Sequence, residues 1–180
     1  MRVIAGSAKG TKLYHPSNAS IRPTLDRVRT SLFDIIGKDI KGKLFLDLFA
    51  GTGANGIEAL SRGAERVWFV DNSPQSIELI KKNLEKTHLL ARAIIIKARL
   101  PEGIEDLPTG MDYIFADPPY DFNLWEKLIT RLVDSDILKA HAFLILEHSK
   151  QNVPPDVIDR VSLTRREKYG DTILSFYTII

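Results

Sequence analysis

Cysteine is absent from the 180 residues. Its absence excludes disulfides, thiolate metal sites and cysteine nucleophiles. No run approaches the roughly 18 apolar residues of a membrane-spanning helix, and Met1 to Lys12 lacks the apolar core of a signal peptide. A cytoplasmic chain that avoids membranes is therefore expected. The four histidines, His15, His88, His141 and His148, lack metal-ligand spacing with one another, and most of them read as surface or loop positions. No G-x-S-x-G elbow supports a serine triad. Neither a metal centre nor hydrolase chemistry is expected. Internal repeats, low-complexity tracts and flexible linkers are also missing, which points to one domain over residues 1–180.

The net charge of +2 is unevenly spread: residues 1–43 carry +6 and the remainder −4. A basic end on a mildly acidic body suits an anionic partner, most commonly nucleic acid, or is a solvated basic surface. Residues 2–14 read as a hairpin around Gly6 to Gly10, with Arg2, Lys9 and Lys12 available to a phosphate backbone. Residues 1–24, the hairpin and its following loop, form a basic appendage. A helix capped by Thr24 or Asp26 runs to about Ile36 on the stripe Leu25, Val28, Leu32, Phe33 and Ile36, with Gly37 as its stop. Arg22 and Arg29 lie near its start and Arg27 between stripe positions. They form either an exposed basic set or a ligand contact.

Beyond residue 43, strands alternate with helices, the pattern of an α/β doubly wound sheet. The predicted strands are 43–49, 66–70, 93–96, 112–116 and 142–146. The tail pair, about 161–169 and 172–179, reads as an antiparallel hairpin at the sheet edge. Predicted helices cover 57–61, 74–88 and 122–133. Trp68 and Trp125 are read as packing residues. Gly51, Gly53 and Gly56 follow the first strand as G-x-G-x-x-G, and Asp71 ends the second strand about 20 residues past the first glycine, where a ribose-hydroxyl acceptor is expected. Asp47 precedes the loop. It would repel a pyrophosphate and attract a cationic cofactor such as S-adenosylmethionine, and it can also cap the N–H groups of the turn. Asp117-Pro118-Pro119-Tyr120 ends the fourth strand. The prolines fix φ and remove two donors, so the corner is either a strand stop or an acceptor cluster beside a flat ring, suited to a planar group with an exocyclic amine. Asp47, Asp71 and Asp117 would line one crevice at the carboxyl ends of the strands.

Asp47-Leu48-Phe49-Ala50-Gly51-Thr52-Gly53 together with Asp117-Pro118-Pro119-Tyr120 resembles the S-adenosylmethionine-dependent amino-methyltransferases. The segments 22–33 (Arg-Pro-Thr-x-Asp-Arg-Val-Arg-x-x-Leu-Phe), 56–64 (Gly-Ile-Glu-Ala-Leu-Ser-Arg-Gly-Ala) and 169–172 (Tyr-Gly-Asp-Thr) narrow the resemblance to the bacterial 16S ribosomal RNA guanine-N2 methyltransferases of the RsmD type. The resemblance spans nearly the whole chain. It implies a Rossmann-like class I methyltransferase fold: a mostly parallel seven-stranded sheet with a C-terminal antiparallel hairpin, plus a small N-terminal hairpin and helix. It implies that Asp47 and the Phe49, Ala50, Gly51 and Gly53 backbone hold the methionine end of the cofactor, and that Asp71, with Asn72 beside it, takes the ribose. Thr24 and its helix would close over the cofactor. Asp117 and Pro118 would orient the target amine, with Pro119 and Tyr120 completing the catalytic corner and Tyr120 stacking on the base. Arg2, Lys9, Lys12, Arg22, Arg27 and Arg29 would grip RNA. The third strand ends in Lys97-Ala98-Arg99, where the family commonly has an Asp or Asn, so a backbone amide at Ala98 or Arg99 is left for the adenine. The implied partner is 16S ribosomal RNA or the 30S subunit, met by a monomer. Competing readings are an N6-adenine or protein-glutamine methylase, a nucleotide-dependent oxidoreductase, and a catalytically idle RNA-binding module.

Overall fold

The computed structural model describes residues 1–16 and 23–179, with the backbone alone for 23–25. Five parallel strands build one side of a single sheet: β1 (Leu44–Leu48), β2 (Arg66–Asp71), β3 (Ala93–Lys97), β4 (Met111–Ala116) and β5 (Leu138–Ser149). Three antiparallel strands complete it: β6 (Val157–Ile158), β7 (Val161–Tyr169) and β8 (Thr172–Ile179). The order is β3-β2-β1-β4-β5-β8-β7-β6. The sheet thus has eight strands among the described residues rather than the expected seven. The extra one, β6, is two residues that pair back onto the start of β7, too short to leave a periodic signal in sequence.

Strand alternation sorts the core into two layers. Phe45, Val67, Phe69, Tyr113, Phe115 and Ile145 face α1 (Pro23–Ile36), α2 (Ala54–Ser61) and α3 (Pro74–Thr87). Leu46, Leu48, Val70, Ile114, Ala116, Leu144 and Leu146 face α4 (Trp125–Asp134) and a 3₁₀ turn at Glu102–Asp106. Helix α1 buries Val28, Leu32, Phe33 and Ile36, as its stripe predicts, and ends where Gly37 adopts φ 63°. Helix α3 starts with Ser73 Oγ accepting the Ser76 N–H at 3.3 Å and Pro74 in the first turn, where its missing donor costs nothing. His88, expected just inside α3, ends it in a left-handed conformation.

Other boundaries also differ from the sequence expectation. Helix α1 begins at Pro23, whose fixed φ suits a first turn, so Thr24 and Asp26 lie within the helix rather than capping it. Helix α2 begins at Ala54 rather than Ile57, because Asp47 Oδ2 accepts the Gly56 N–H and satisfies a first-turn donor from outside the helix. Helix α4 begins at Trp125 rather than Phe122, whose N–H instead closes a turn onto the Pro119 carbonyl at 2.9 Å. Strand β5 extends well beyond 142–146 and pairs Leu138 with Met111 across an irregularity before Tyr113. The N-terminal hairpin forms no named strand; it is held by the Arg2–Lys12 bridge, by backbone hydrogen bonds between Val3 and both Thr11 and Gly10 and from Leu13 to Met1, and by side chains of α2. No helix among the described residues is long and apolar enough to cross a membrane.

Candidate active site

The strand order turns back between β1 and β4: β2 and β3 lie on one side of β1, and β5 lies beyond β4. In an open parallel sheet that switch point opens a crevice at the carboxyl ends of the strands. Asp47 lies on β1 at its rim, and Asp117 follows β4, its N–H reaching the Leu48 carbonyl at 3.4 Å. Asp71 ends β2. The three carboxylates named from sequence therefore do converge, carried by three adjacent strands.

Asp47 is 1% exposed. Burial pushes its carboxyl well above the usual carboxylate range; the Gly56 hydrogen bond (2.9 Å) opposes this, while nearby Asp117 and Asp71 add to it. Asp71 is half-buried and braces the glycine loop, with Oδ2 accepting the Gly51 N–H and Oδ1 the Ser73 N–H, both at 2.9 Å. Phe49 (φ 58°), Ala50, Gly51 and Gly53 form the turn between β1 and α2 and are half-buried or buried. Gly56 is required for packing: a Cβ there would lie 2.3 Å from the Phe69 ring. Asn72 is exposed beside Asp71. Ala98 is half-buried, and its N–H is already donated to the Asp71 carbonyl at 3.1 Å. Of the two residues expected to meet an adenine, only the exposed Arg99 keeps an amide free for that task among the described contacts.

The Asp117 corner is rigid on one side and open on the other. Pro118 is buried, Pro119 is exposed, and Tyr120 stands 72% exposed. An aromatic wall backs it: Phe49 meets Phe122 edge-on at 5.4 Å, Phe122 meets Trp125 at 4.9 Å, and Trp125 meets His148 at 6.3 Å. Asn152 ties the wall together, donating to the Phe122 carbonyl and accepting from Trp125 Nε1. Trp125 is a packing residue, as expected. His148 is buried in β5 between the Ser149 carbonyl and Ser175 Oγ. Asp117 is crowded by protein yet keeps an exposed face, so water screens part of the effect of its surroundings. Burial still raises its carboxyl to about 7.

The basic residues divide. Arg2, Lys9, Lys12 and Arg27 are exposed. Arg29, expected to touch RNA, is 4% exposed and turned inward. It donates to the Arg2 carbonyl and to Asp26 Oδ1, each at 2.8 Å, which ties α1 to the N-terminal hairpin. Its position beside Val28 on the inner face of the helix decides this. Arg22 lies outside the described residues, as does the side chain of Thr24. No cluster of three or more potential metal ligands occurs among the described residues.

Several residues in the sequence motifs have roles that were not read from them. Glu58, wholly buried, accepts the Ile4 and Ala5 N–H groups at 2.7 and 3.0 Å and pairs with Arg62 at 2.7 Å. Ser61 Oγ accepts from Ala8 and donates to the Ala5 carbonyl. Asn83 bonds both backbone groups of Tyr14 and the Thr52 carbonyl, linking the hairpin to the glycine loop. Tyr169 of the tail motif meets Ser31 of α1 hydroxyl to hydroxyl. Glu147, near the end of β5, also ends an apolar run, just as Asp71 and Asp117 do.

Comparison with known proteins agrees with this geometry. A family model described as conserved hypothetical protein 95 matches residues 1–178. The chain is 38% identical over 180 residues to "Putative rRNA methyltransferase YlbH" of Bacillus subtilis, covering 98% of both chains. It is 32% identical over 177 residues to "Ribosomal RNA small subunit methyltransferase D" of Escherichia coli, covering 98% of this chain and 89% of that one. The solved structure "Putative methyltransferase yhhF from Escherichia coli" matches with a TM-score of 0.88 at 30% identity, over 99% of this chain and 97% of that one. With the crevice, the glycine loop and the Asp-Pro-Pro-Tyr corner on one Rossmann-like sheet, and matches along nearly its full length, the chain belongs to the RsmD-type family of ribosomal RNA small subunit methyltransferases.

Proposed function

We propose that the protein methylates the exocyclic N2 amine of a guanine in 16S ribosomal RNA, with S-adenosylmethionine as cofactor. The observation that carries this is the juxtaposition, at one switch point, of the buried Asp47 beside the glycine loop and the Asp117 to Tyr120 corner with its exposed ring. The donor set fits the cofactor: Asp47, buried beside the glycine loop and with no cation paired to it among the described residues, favours a ligand that carries positive charge. Asp47 and the Phe49 to Gly53 backbone would hold its amino-acid end, Asp71 with Asn72 its ribose, and the backbone at Arg99 its adenine. When bound, it supplies a methyl on a sulfonium, already a strong electrophile. The protein's task is placement, which is worth about 7–11 kcal/mol of barrier when the geometry is right.

Asp117 and the Pro118 carbonyl accept the N–H bonds of the target amine. Acceptors on those bonds turn the nitrogen lone pair out of conjugation with the ring and stabilise the positive charge that grows on nitrogen. Asp117 then takes the proton that the methylated amine releases. Tyr120 stacks on the base, which must leave its own stack to reach the corner. Arg2, Lys9, Lys12 and Arg27 grip the phosphate backbone. The protein works as a cytoplasmic monomer on the 16S RNA or the 30S particle, without a metal.

The decisive experiment maps modified nucleotides by mass in 16S ribosomal RNA from a deletion strain. One N2-methylguanosine should be lost and should return on complementation; an unchanged inventory would overturn the reading. In vitro, labelled methyl should enter 30S particles or their RNA, whereas label in DNA or a release factor would move the assignment to an adenine or glutamine methylase. Asp117→Ala should bind S-adenosylmethionine normally by calorimetry and lose turnover by about 10²–10³-fold, the scale of one lost transition-state partner. Full turnover in that variant excludes the mechanism.

A further inference from the structure

The strand register places a fourth acid in line with the three already described. β4 pairs with β5 so that Phe115 lies opposite Ile145 and Ala116 opposite Leu146. Glu147 is the next residue on β5, and Asp117 directly follows β4, still bonded to the Leu48 carbonyl of β1. Phe115 and Ile145 share the α1 face and Ala116 and Leu146 the other, so alternation returns both acids to the α1 face, where Asp47 also points. Across β2, β1, β4 and β5 the crevice therefore carries Asp71, Asp47, Asp117 and Glu147 in a row. Glu147 is 9% exposed, and among the described residues its carboxylate has neither a cation nor a hydrogen-bond donor. Replacement by a neutral side chain would remove an electrostatic burden, so an unpaired buried acid here needs another reason for its presence.

We infer that Glu147 is a specificity-determining residue that, beside Asp117, reads the paired N1–H and N2–H donors of a guanine. The inference rests on the guanine reading above and assigns part of it to a residue outside the Asp-Pro-Pro-Tyr corner. Guanine presents two neighbouring donors on its Watson–Crick edge. Adenine and cytosine each present an amine next to a bare ring nitrogen. Adjacent strands lie about 4.8 Å apart, so acids at equivalent positions on β4 and β5 can serve neighbouring donors of one base edge. Two N–H donors facing the pair favour its ionised form, so both carboxylates offer bare acceptors to a bound guanine. Asp117 meets the reacting amine, and Glu147 meets N1–H. A base with a bare N1 sets a lone pair against the Glu147 carboxylate. The Asp117 corner alone specifies an amine; Glu147 would make it guanine.

The test uses 30S particles reconstituted with 16S ribosomal RNA that carries either guanine or 2-aminopurine at the methylated position. 2-Aminopurine keeps the amine but has a bare N1 and also lacks the 6-oxo group, so the change in preference between wild type and variant isolates the contribution of Glu147. Wild type should prefer guanine by about 10²-fold or more in kcat/KM, as sites built to bond a substrate N–H do. Glu147→Gln keeps the shape and adds a donor for a bare N1. It should lower kcat/KM for guanine by about ten-fold, the effect of exchanging a charged hydrogen-bond acceptor for a neutral amide oxygen. It should also narrow the preference by a similar factor. Its Kd for S-adenosylmethionine and its melting temperature should not worsen. Glu147→Ala should lose guanine activity without gaining on 2-aminopurine. Guanine methylation with an unchanged preference in both variants overturns this inference alone. Failure of wild type to form N2-methylguanosine on unsubstituted particles overturns the functional reading and this inference with it.

Discussion

Asp47 serves two ends that conflict. Its Oδ2 caps the turn by accepting the Gly56 N–H, yet its charge is buried beside Asp117 and Asp71. The folded-state pKa lies above the unfolded one, so the folded chain binds more protons. Over that interval stability falls as pH rises from about 4, the unfolded value, toward the raised folded value. Asp47→Asn keeps an acceptor for Gly56 and removes the charge. The variant should melt at a temperature no lower than wild type at pH near 8, while its Kd for S-adenosylmethionine weakens by about ten-fold or more. A lower melting temperature with unchanged affinity would show that the capping bond alone explains this residue. Arg29 teaches the converse lesson: a basic residue in a basic segment is spent on a carbonyl and Asp26. Arg29→Ala should destabilise the fold and leave the salt dependence of RNA binding unchanged.

The N-terminal hairpin closes on itself through a few backbone hydrogen bonds and is anchored to the body by α2. Glu58 and Ser61, three residues apart and so on one helix face, receive its backbone N–H groups, and Gly6 (φ 82°) approaches so closely that a Cβ there would lie 1.8 Å from the Ser61 carbonyl oxygen. Glu58→Ala strands the Ile4 and Ala5 donors and the Arg62 guanidinium. It should destabilise by about 3 kcal/mol, the cost of breaking a buried charged pair, and open the arm to trypsin at Lys9 and Lys12. Chemical melts and timed digestion measure both effects; an intact arm in that variant would mean that the other contacts suffice. Asn83 joins the same arm to Thr52 in the glycine loop, so the element that carries the basic residues and the loop proposed to carry the cofactor move as neighbours.

At the scale of the molecule, opposite charges are segregated: a basic arm on the outside and a row of acids within the crevice. The first sets salt dependence. Lys9→Ala with Lys12→Ala should reduce the slope of log K for RNA against log salt by about 1–2, as each neutralised phosphate contributes roughly 0.7 to 0.9. The second sets pH dependence. Asp47, the acid assigned to the cofactor, is raised well above its usual range by burial and by nearby Asp117 and Asp71. A cationic ligand prefers it ionised and lowers its pKa on binding, so a proton is released and affinity rises with pH. Calorimetry at pH about 6 and about 8 should show S-adenosylmethionine binding tighter at the higher value, with a weaker trend for S-adenosylhomocysteine, which lacks the sulfonium charge. Equal affinities at both values would count against Asp47 as the contact of the cationic cofactor.

The parallel sheet, the glycine turn and the convergence of Asp47, Asp71 and Asp117 were legible in the sequence. Each depends on a local pattern: an apolar run, a glycine or acid at its end, a helix after it. Chain order then carries those ends to one side of the sheet by the handedness of β-α-β crossovers. Other features required the fold, because their partners are distant in the chain. Ile4 meets Glu58 across 54 positions and Tyr14 meets Asn83 across 69. The inward turn of Arg29, the two residues of β6 and the alignment of Glu147 with Asp117 likewise follow from register and packing. By itself the sequence determined that a crevice lined with acids lies beside an Asp-Pro-Pro-Tyr corner. Only the tertiary structure decided which charges face that crevice and which are spent holding the molecule together, because a side chain's partner is set by what packs opposite it.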